Sequence, residues 1–312
     1  MKRRTVIIGT RGSALALAQT ELVRAELARR DPALDLRVER ITTTGDRLSE
    51  KPLADVAGKG VFVAEIEQAL RDGRIDLAVH SAKDLPADPP ASLTIAAFPL
   101  RADPRDVLVS PAGTLESLEP GSRVGTSSPR RACQVVAARP DLATVPIRGN
   151  VDTRLAKLAA GSFDAIVLAA AGLIRLGRTD VITEWLSPEV MLPAVGQGAL
   201  ALQIRSDDDT LRPFIEPLGD PATTIAVRAE RAFLRRLGVG CAAAAGAYAR
   251  VAGDTLTVTG LIGSTDGRLV CETLNGAASD PEAIGDALAA GLLARGGASF
   301  LLEADAARAG IE

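Results

Sequence analysis

Cations recur in this sequence wherever a strand pattern gives way to a helix pattern. Arg11 sits in Gly9-Thr10-Arg11-Gly12-Ser13, and Lys83 in His80-Ser81-Ala82-Lys83-Asp84-Leu85-Pro86. Arg130 and Arg131 close Gly125-Thr126-Ser127-Ser128-Pro129-Arg130-Arg131. Arg148 and Arg154 flank Gly149-Asn150-Val151-Asp152-Thr153, and Arg175 follows Ala171-Gly172-Leu173-Ile174. The start of a helix offers unpaired amides and the positive end of its dipole, so it favours an anion. Ser13 and Ser128 suit N-caps, and Pro129 suits the first helical position. Arg130 and Arg131 then fall in a first turn, where the dipole disfavours each cation by roughly 0.3–1 kcal/mol. Fold stability alone would place Asp or Glu there. The arginines, the amides and the hydroxyls of Thr126, Ser127 and Ser128 therefore point to an anion site. Taken singly, each segment also fits a plain turn with a solvated charge. Taken together, they can converge, because strand-to-helix junctions of doubly wound sheets share an edge. A cleft lined this way suits a ligand bearing many carboxylates, which arginine meets in bidentate geometry.

Other chemistry is sparser. Asp84 adjoins Lys83, and adjacent side chains need not neutralise each other; a surface ion pair is the plain alternative. Gly58-Lys59-Gly60-Val61-Phe62 lacks the flanking residues of a P-loop and fits a mobile glycine loop. Cys241 follows Leu237-Gly238-Val239-Gly240 in a turn that leaves a thiol accessible, although a lone cysteine is more often inert packing. Cys133, in a helix pattern, and Cys271, in a strand pattern, keep that packing expectation. The single histidine, His80, excludes HExxH zinc chemistry and reads as a packed or hydrogen-bonded side chain. No GxSxG elbow is present. Three cysteines without a CxxC pair fit a reducing cytosol. A net charge of −3 gives no overall pull toward nucleic acid or anionic membrane, and 3% aromatics are too few for base-stacking platforms. Arg11 interrupts the apolar start before it can serve as a secretory signal. The uncharged stretch Val190–Ile204 is too short and too broken by Pro193 and its glycines to span a bilayer.

The elements that must position these residues alternate. Strands are expected at Thr5–Thr10, Leu36–Ile41, Ile75–Ser81, Asp106–Ser110, Arg123–Gly125, Thr144–Ile147 and Ala165–Ala169. Helices are expected at Ser13–Arg30, Phe62–Asp72, Pro129–Arg139 and Val151–Ala160. This predicts α/β layers with largely parallel sheets. After breaks at Phe98–Pro104, Leu192–Gly198 and Pro217–Pro221 the character changes. A helix over Thr223–Leu237 precedes strands at Gly246–Val251, Thr255–Leu261 and Arg268–Leu274 and a helix near Pro281–Leu293. The 312 residues thus divide into two α/β domains and a small α+β domain.

In order along the chain, IGTRGSALALAQ, TTGD, GKGVF, HSAKDLP, GTSSPRRACQ, RGNVDTRL, AAGLIRLG, PAVGQGA and GCAAAAGAYA resemble the hydroxymethylbilane synthase (porphobilinogen deaminase) family. Any one piece is weak; in family order they are specific. The resemblance implies two periplasmic-binding-protein-like (type II) α/β domains, 1–99 with 198–217 and 104–194, and an α+β domain, 221–312, carrying the cofactor cysteine. It implies one covalent dipyrromethane per chain, held by a thioether to Cys241. Porphobilinogen units join this primer with loss of ammonia, and hydrolysis releases hydroxymethylbilane. Asp84 would be the catalytic carboxylate, stabilising positive charge on the pyrroles. Ser13, Lys83, Asp84, Thr126, Ser127, Ser128, Arg130, Arg131, Arg148 and Arg154 would bind the cofactor. Arg11, Phe62, Arg148, Arg154, Arg175 and Gln197 would bind substrate, with Lys59 in the mobile loop. No metal, nucleic acid or membrane partner is implied, and a cytoplasmic monomer is expected.

The sequence departs from the family pattern at the cysteine loop, where Ala242 and Ala244 replace the usual Gln and Pro. Asp55 stands where a lysine is sometimes found, and Pro129 where leucine is common. Two other readings remain open at this point. One is a non-enzymatic binder of dicarboxylates, and the other a degenerate homologue impaired in cofactor attachment. Modification of Cys241 separates both from the enzyme.

Overall fold

The computed structural model describes residues 4–47, 63–239 and 243–309. The first α/β unit opens with β1 (Thr5–Thr10), α1 (Ala14–Arg30), β2 (Asp35–Arg40), a single turn α2 (Thr44–Arg47), α3 (Ala64–Arg71) and β3 (Leu77–Ser81). A 3-10 turn, Ala82–Asp84, and β4 (Leu93–Ala97) follow. The chain crosses to the second unit, built from β5 (Asp106–Val109), β6 (Arg123–Gly125), α4 (Pro129–Ala138) and β7 (Ala143–Val145). It continues through α5 (Val151–Ala159), β8 (Ala165–Ala169), α6 (Ala170–Arg175) and β9 (Glu184–Trp185). It then returns to the first sheet as β10 (Leu200–Arg205), followed by α7 (Arg212–Ile215). The third unit holds α8 (Pro221–Leu237), β11 (Ala245–Ala252), β12 (Thr255–Gly263), β13 (Leu269–Ala277), α9 (Pro281–Leu292) and α10 (Ala298–Ala309).

The two five-stranded sheets run β2-β1-β3-β10-β4 and β7-β6-β8-β5-β9. In each, three parallel strands meet a fourth antiparallel strand that has just crossed over from the other unit. The expectation of largely parallel sheets holds for four of the five strands in each, and the remaining strand departs from it. β10 pairs antiparallel with β3 and β4, and β5 with β8 and β9. Two crossovers force this, because a strand arriving from a neighbouring unit enters its sheet from the opposite end. Both faces of each sheet are buried, which is why strands such as Leu77–Ser81 and Ala165–Ala169 read as apolar runs. Val6, Ile8, Leu77, Val79, Leu202 and Ile204 pack on α1 through Val23 and Leu27. Ile66 and Leu70 of α3 cover the other face with Ile75 and Ala78.

The third unit is an antiparallel β11-β12-β13 sheet under α8 and α9. The stretch Pro281–Ala304 has the length and apolar composition to cross a membrane. Its backbone leaves helical geometry at Arg295 and at Gly296, where φ is 104°. Leu288, Ala289, Leu292 and Phe300 are spent in the core of this small sheet. The packing expected of the cysteines holds for Cys133, buried with a thiol pushed up to about 11 by burial. Cys271 is instead exposed, because its position in β13 falls on the outward face of an edge strand.

Candidate functional site

A cleft of about 610 Å³ lies where the strand-to-helix junctions of the two α/β units face each other. Arg11, Ser13, Lys83 and Asp84 line it from the first unit, and Ser127, Ser128, Arg131, Arg148, Arg154 and Arg175 from the second. Three helices open at it, each capped as its sequence dictates. Ser13 accepts from Ala16 N at 3.2 Å, Ser128 from Arg131 N at 3.4 Å, and Asn150 from Thr153 N at 2.9 Å. Pro129 takes the first position of α4. Ser127 ties the ends of β6 and β7 together. Its hydroxyl donates to Ile147 O at 2.7 Å and accepts from Ile147 N at 3.1 Å.

On the first wall Arg11 pairs with Asp46, its Nε 3.1 Å from Oδ1. Burial pushes the Asp46 carboxyl up, but Arg11 and the Thr43 hydroxyl outweigh that and hold it below the usual range. Burial, reinforced by Arg131, lowers the Lys83 ammonium to about 8. Asp84, at the end of the 3-10 turn, makes no hydrogen bond or ion pair among the described residues. Gly196, at φ 70°, sits against this turn: a Cβ there would lie 3.0 Å from Ala82 Cβ and 3.2 Å from Lys83 N. Only glycine allows the return crossover to run so close beneath Lys83 and Asp84.

On the second wall Arg131 is held by Asp106, with Nη2 2.7 Å and Nε 3.0 Å from Oδ1, and donates to Val167 O. Arg154 donates to Gly149 O and Arg175 to Gly198 O. Burial lowers both to about 10, and Arg131 and Arg148 push Arg154 further down by repulsion. The Arg148 Nε is buried without a hydrogen-bond partner. An unpartnered guanidinium nitrogen among mutually repelling cations fits a bound group that carries several carboxylates, such as a dipyrromethane.

Three residues expected at the ligand do not line the cleft. Arg130 is buried, with Nη1 bonded to Leu192 O and 2.8 Å from Asp106 Oδ2. Gln197 donates to Pro104 O and to Asp106 Oδ1. Thr126 is buried and accepts from Ser128 N. All three brace the second wall from behind. The cation pair at the start of α4 thus has a carboxylate after all, Asp106, supplied by the first residue of β5. Burial raises that carboxyl, but Arg130 and Arg131 overcome it and keep it below the usual range. His80 is a packed histidine, its Nε2 3.0 Å from Gln203 Oε1, and burial lowers it to about 4. Lys59, Phe62 and Cys241 lie outside the described residues. Just beyond the cysteine segment, Ala244 packs with Cys133 and Leu192, beside α4.

Sequence reasoning missed Asp46, Asp106 and Asn150. Asp46 lies within the Thr43-Thr44-Gly45-Asp46 piece quoted above; Asp106 gave no local signal, because its partner Arg131 is 25 residues away and Gln197 farther still.

Residues 6–213 match the family model described as porphobilinogen deaminase, dipyromethane cofactor binding domain, and residues 224–294 match the porphobilinogen deaminase C-terminal domain. The chain belongs to the porphobilinogen deaminase family. A porphobilinogen deaminase of Roseiflexus castenholzii is 55% identical over 300 residues, covering 96% of this chain and 99% of that one. One from Geobacter sulfurreducens is 49% identical over 297 residues, covering 95% and 93%. Among solved structures, the second substrate binding domain of a putative amino acid ABC transporter from Streptococcus pneumoniae superposes with a TM-score of 0.43 at 14% identity, over 69% of this chain and 91% of that one.

Proposed function

We propose that the protein is a hydroxymethylbilane synthase, a transferase of tetrapyrrole and heme biosynthesis. It joins four porphobilinogen molecules with loss of one ammonia each, then admits water to release the linear tetrapyrrole. The observation that carries this reading is the cleft itself: guanidinium and ammonium groups gathered from two units around Asp84, a carboxylate with no hydrogen bond or ion pair among the described residues. Covalently held dipyrromethane supplies the pyrrole to which the new units are joined. Ser13, Lys83, Ser127, Ser128, Arg131, Arg148 and Arg154 hold its carboxylates, and Cys241 anchors it. Arg11, Phe62, Arg148, Arg154 and Arg175 receive the incoming porphobilinogen. Arg130 and Gln197 act one step removed, by fixing Asp106 and through it Arg131, and Thr126 does so by accepting from Ser128 N at the start of α4. Asp84 accepts pyrrole N–H groups and stabilises the positive charge that builds on the rings as each carbon–carbon bond forms.

The working division of the chain is 1–99 with 198–217, 104–194, and 221–312. The protein acts as a cytoplasmic monomer, with neither nucleic acid nor membrane as partner. Intact mass under denaturing conditions tests the assignment. The expected result is an added dipyrromethane that disappears in Cys241→Ala together with porphobilinogen consumption. An unmodified chain that still makes hydroxymethylbilane would refute it.

A further inference from the structure

Helix α8 of the third unit reaches the Asp84 turn from behind. Arg231 on this helix is 6% exposed. Its Nη2 donates to two successive carbonyls, Pro86 O at 2.8 Å and Ala87 O at 2.7 Å. These follow directly on the Ala82–Asp84 turn and Leu85. Pro86, Pro89 and Pro90 have no amide hydrogen, so the segment is poor in donors of its own. Among the described residues no backbone amide reaches either carbonyl. The neighbouring Glu230 works from the other side. Fully buried, it accepts from Gly196 N at 2.7 Å, and Gly196 lies against Ala82 and Lys83. One turn further along, Arg235 pairs with Asp88 at the surface.

We propose that Arg231 is a positioning residue for Asp84: it pins the Pro86 and Ala87 carbonyls to α8 and so sets where the Asp84 carboxylate stands in the cleft. The inference rests on the role given to Asp84 above. Helix α8 itself ends at Leu237, four residues before Cys241 in the sequence. Removing Arg231 leaves two part-buried carbonyls without their side-chain donor and lets the turn drift. A drift of about 1 Å at a reacting group costs about 100-fold in rate. Substrate affinity is spared, because Arg231 does not line the cleft.

The test uses full-length, cofactor-loaded protein with Arg231→Met, Arg231→Lys and Arg235→Gln. Arg231→Met is expected to lower kcat by about 10- to 100-fold with KM little changed, and to speed amide exchange over 81–90. Arg231→Lys, whose ammonium can still donate to both carbonyls, recovers most of kcat. Arg235→Gln, which removes only an exposed pair, leaves kcat as it was. Wild-type kcat in Arg231→Met overturns the proposal. So does a loss that Arg231→Lys fails to recover and that comes with a lowered melting temperature but unchanged exchange at 81–90. Asp84→Asn, assayed alongside, keeps the two ideas apart. If it retains turnover, the role of Asp84 falls; if it collapses turnover while Arg231→Met does not, only the positioning falls.

Discussion

The two walls of the cleft handle charge differently. On the first, each cation has a carboxylate beside it: Arg11 bonds Asp46, and Lys83 precedes Asp84. On the second, Arg148, Arg154 and Arg175 face the cleft with no acidic side chain lining it from that side, and Arg131 finds its carboxylate behind the wall in Asp106. On the role proposed for Asp84, a balanced wall can do chemistry on a charge that appears and disappears, because that carboxylate remains available when the pyrroles become positive. An unbalanced wall does chemistry badly but binds a polyanion well, since every carboxylate that arrives relieves repulsion among the arginines. The division of labour lies between the two units, and the strand-to-helix junctions of both contribute to one cleft.

The sharpest way to break this contrast is Asp84→Asn. A charge pair at about 4 Å and an effective dielectric near 20 is worth about 4 kcal/mol. If that stabilisation belongs to the transition state, turnover falls about a thousandfold, with far-UV circular dichroism and melting unchanged. Near-normal turnover would mean that the first wall is not where the charge is met. Asp106→Asn should do the reverse. It leaves Arg130 and Arg131 buried without their counter-charge, a change worth about 3–5 kcal/mol of stability. The expected signature is a lower melting temperature, with activity loss that follows the unfolded fraction at assay temperature. A variant as stable as wild type would show that Asp106 is not the brace of the second wall.

Much of this was legible in the sequence. The Ser128 cap, Pro129 at the first helical position and the cations at each junction are local features, and the folded chain uses them locally. What was not legible is long-range. The arginines in the first turn of α4 read as a conflict with the helix dipole, and the conflict is resolved by Asp106, on a different strand. The return of β10 to the first sheet gives no periodic signal either. Leu200–Arg205 is buried on both faces although Gln203 and Arg205 share one of them, so its direction and neighbours follow only from the two crossovers. Gln197, placed at substrate by the resemblance, bonds Pro104 O and Asp106, an arrangement that needs both crossovers side by side.

Arg154→Met sharpens the contrast from the binding side, with two effects of opposite sign. In the empty protein it removes a half-buried cation repelled by Arg131 and Arg148, so the melting temperature should rise. With ligand present it removes a charge-assisted contact worth about 1.5–3 kcal/mol, weakening carboxylate binding by roughly 10- to 150-fold. Calorimetry of porphobilinogen binding to Asp84→Asn protein, with and without Arg154→Met, measures the second effect without turnover. A fall in both stability and affinity would mean that Arg154 is a structural arginine.

The smallest effect is a pH dependence carried by Lys83. Burial, with repulsion from Arg131, holds its ammonium near 8 in the empty cleft. A bound carboxylate favours the charged form, so the pKa in the complex is higher than in the empty protein. Below about 8 the side chain is charged in both states, and affinity does not change with pH on its account. Above about 8 the empty protein has lost the proton that the complex retains, so binding must take one up. Affinity then falls with rising pH by at most about tenfold per unit until the pKa of the complex is reached. Measured in Asp84→Asn protein the onset should come slightly earlier, because Asp84 is one of the groups that pulls the ammonium upward. Adding Lys83→Met should flatten the slope above pH 8 and leave the affinity low at every pH. A slope that survives Lys83→Met undiminished would place the titrating group elsewhere and remove Lys83 from the charge balance of the first wall.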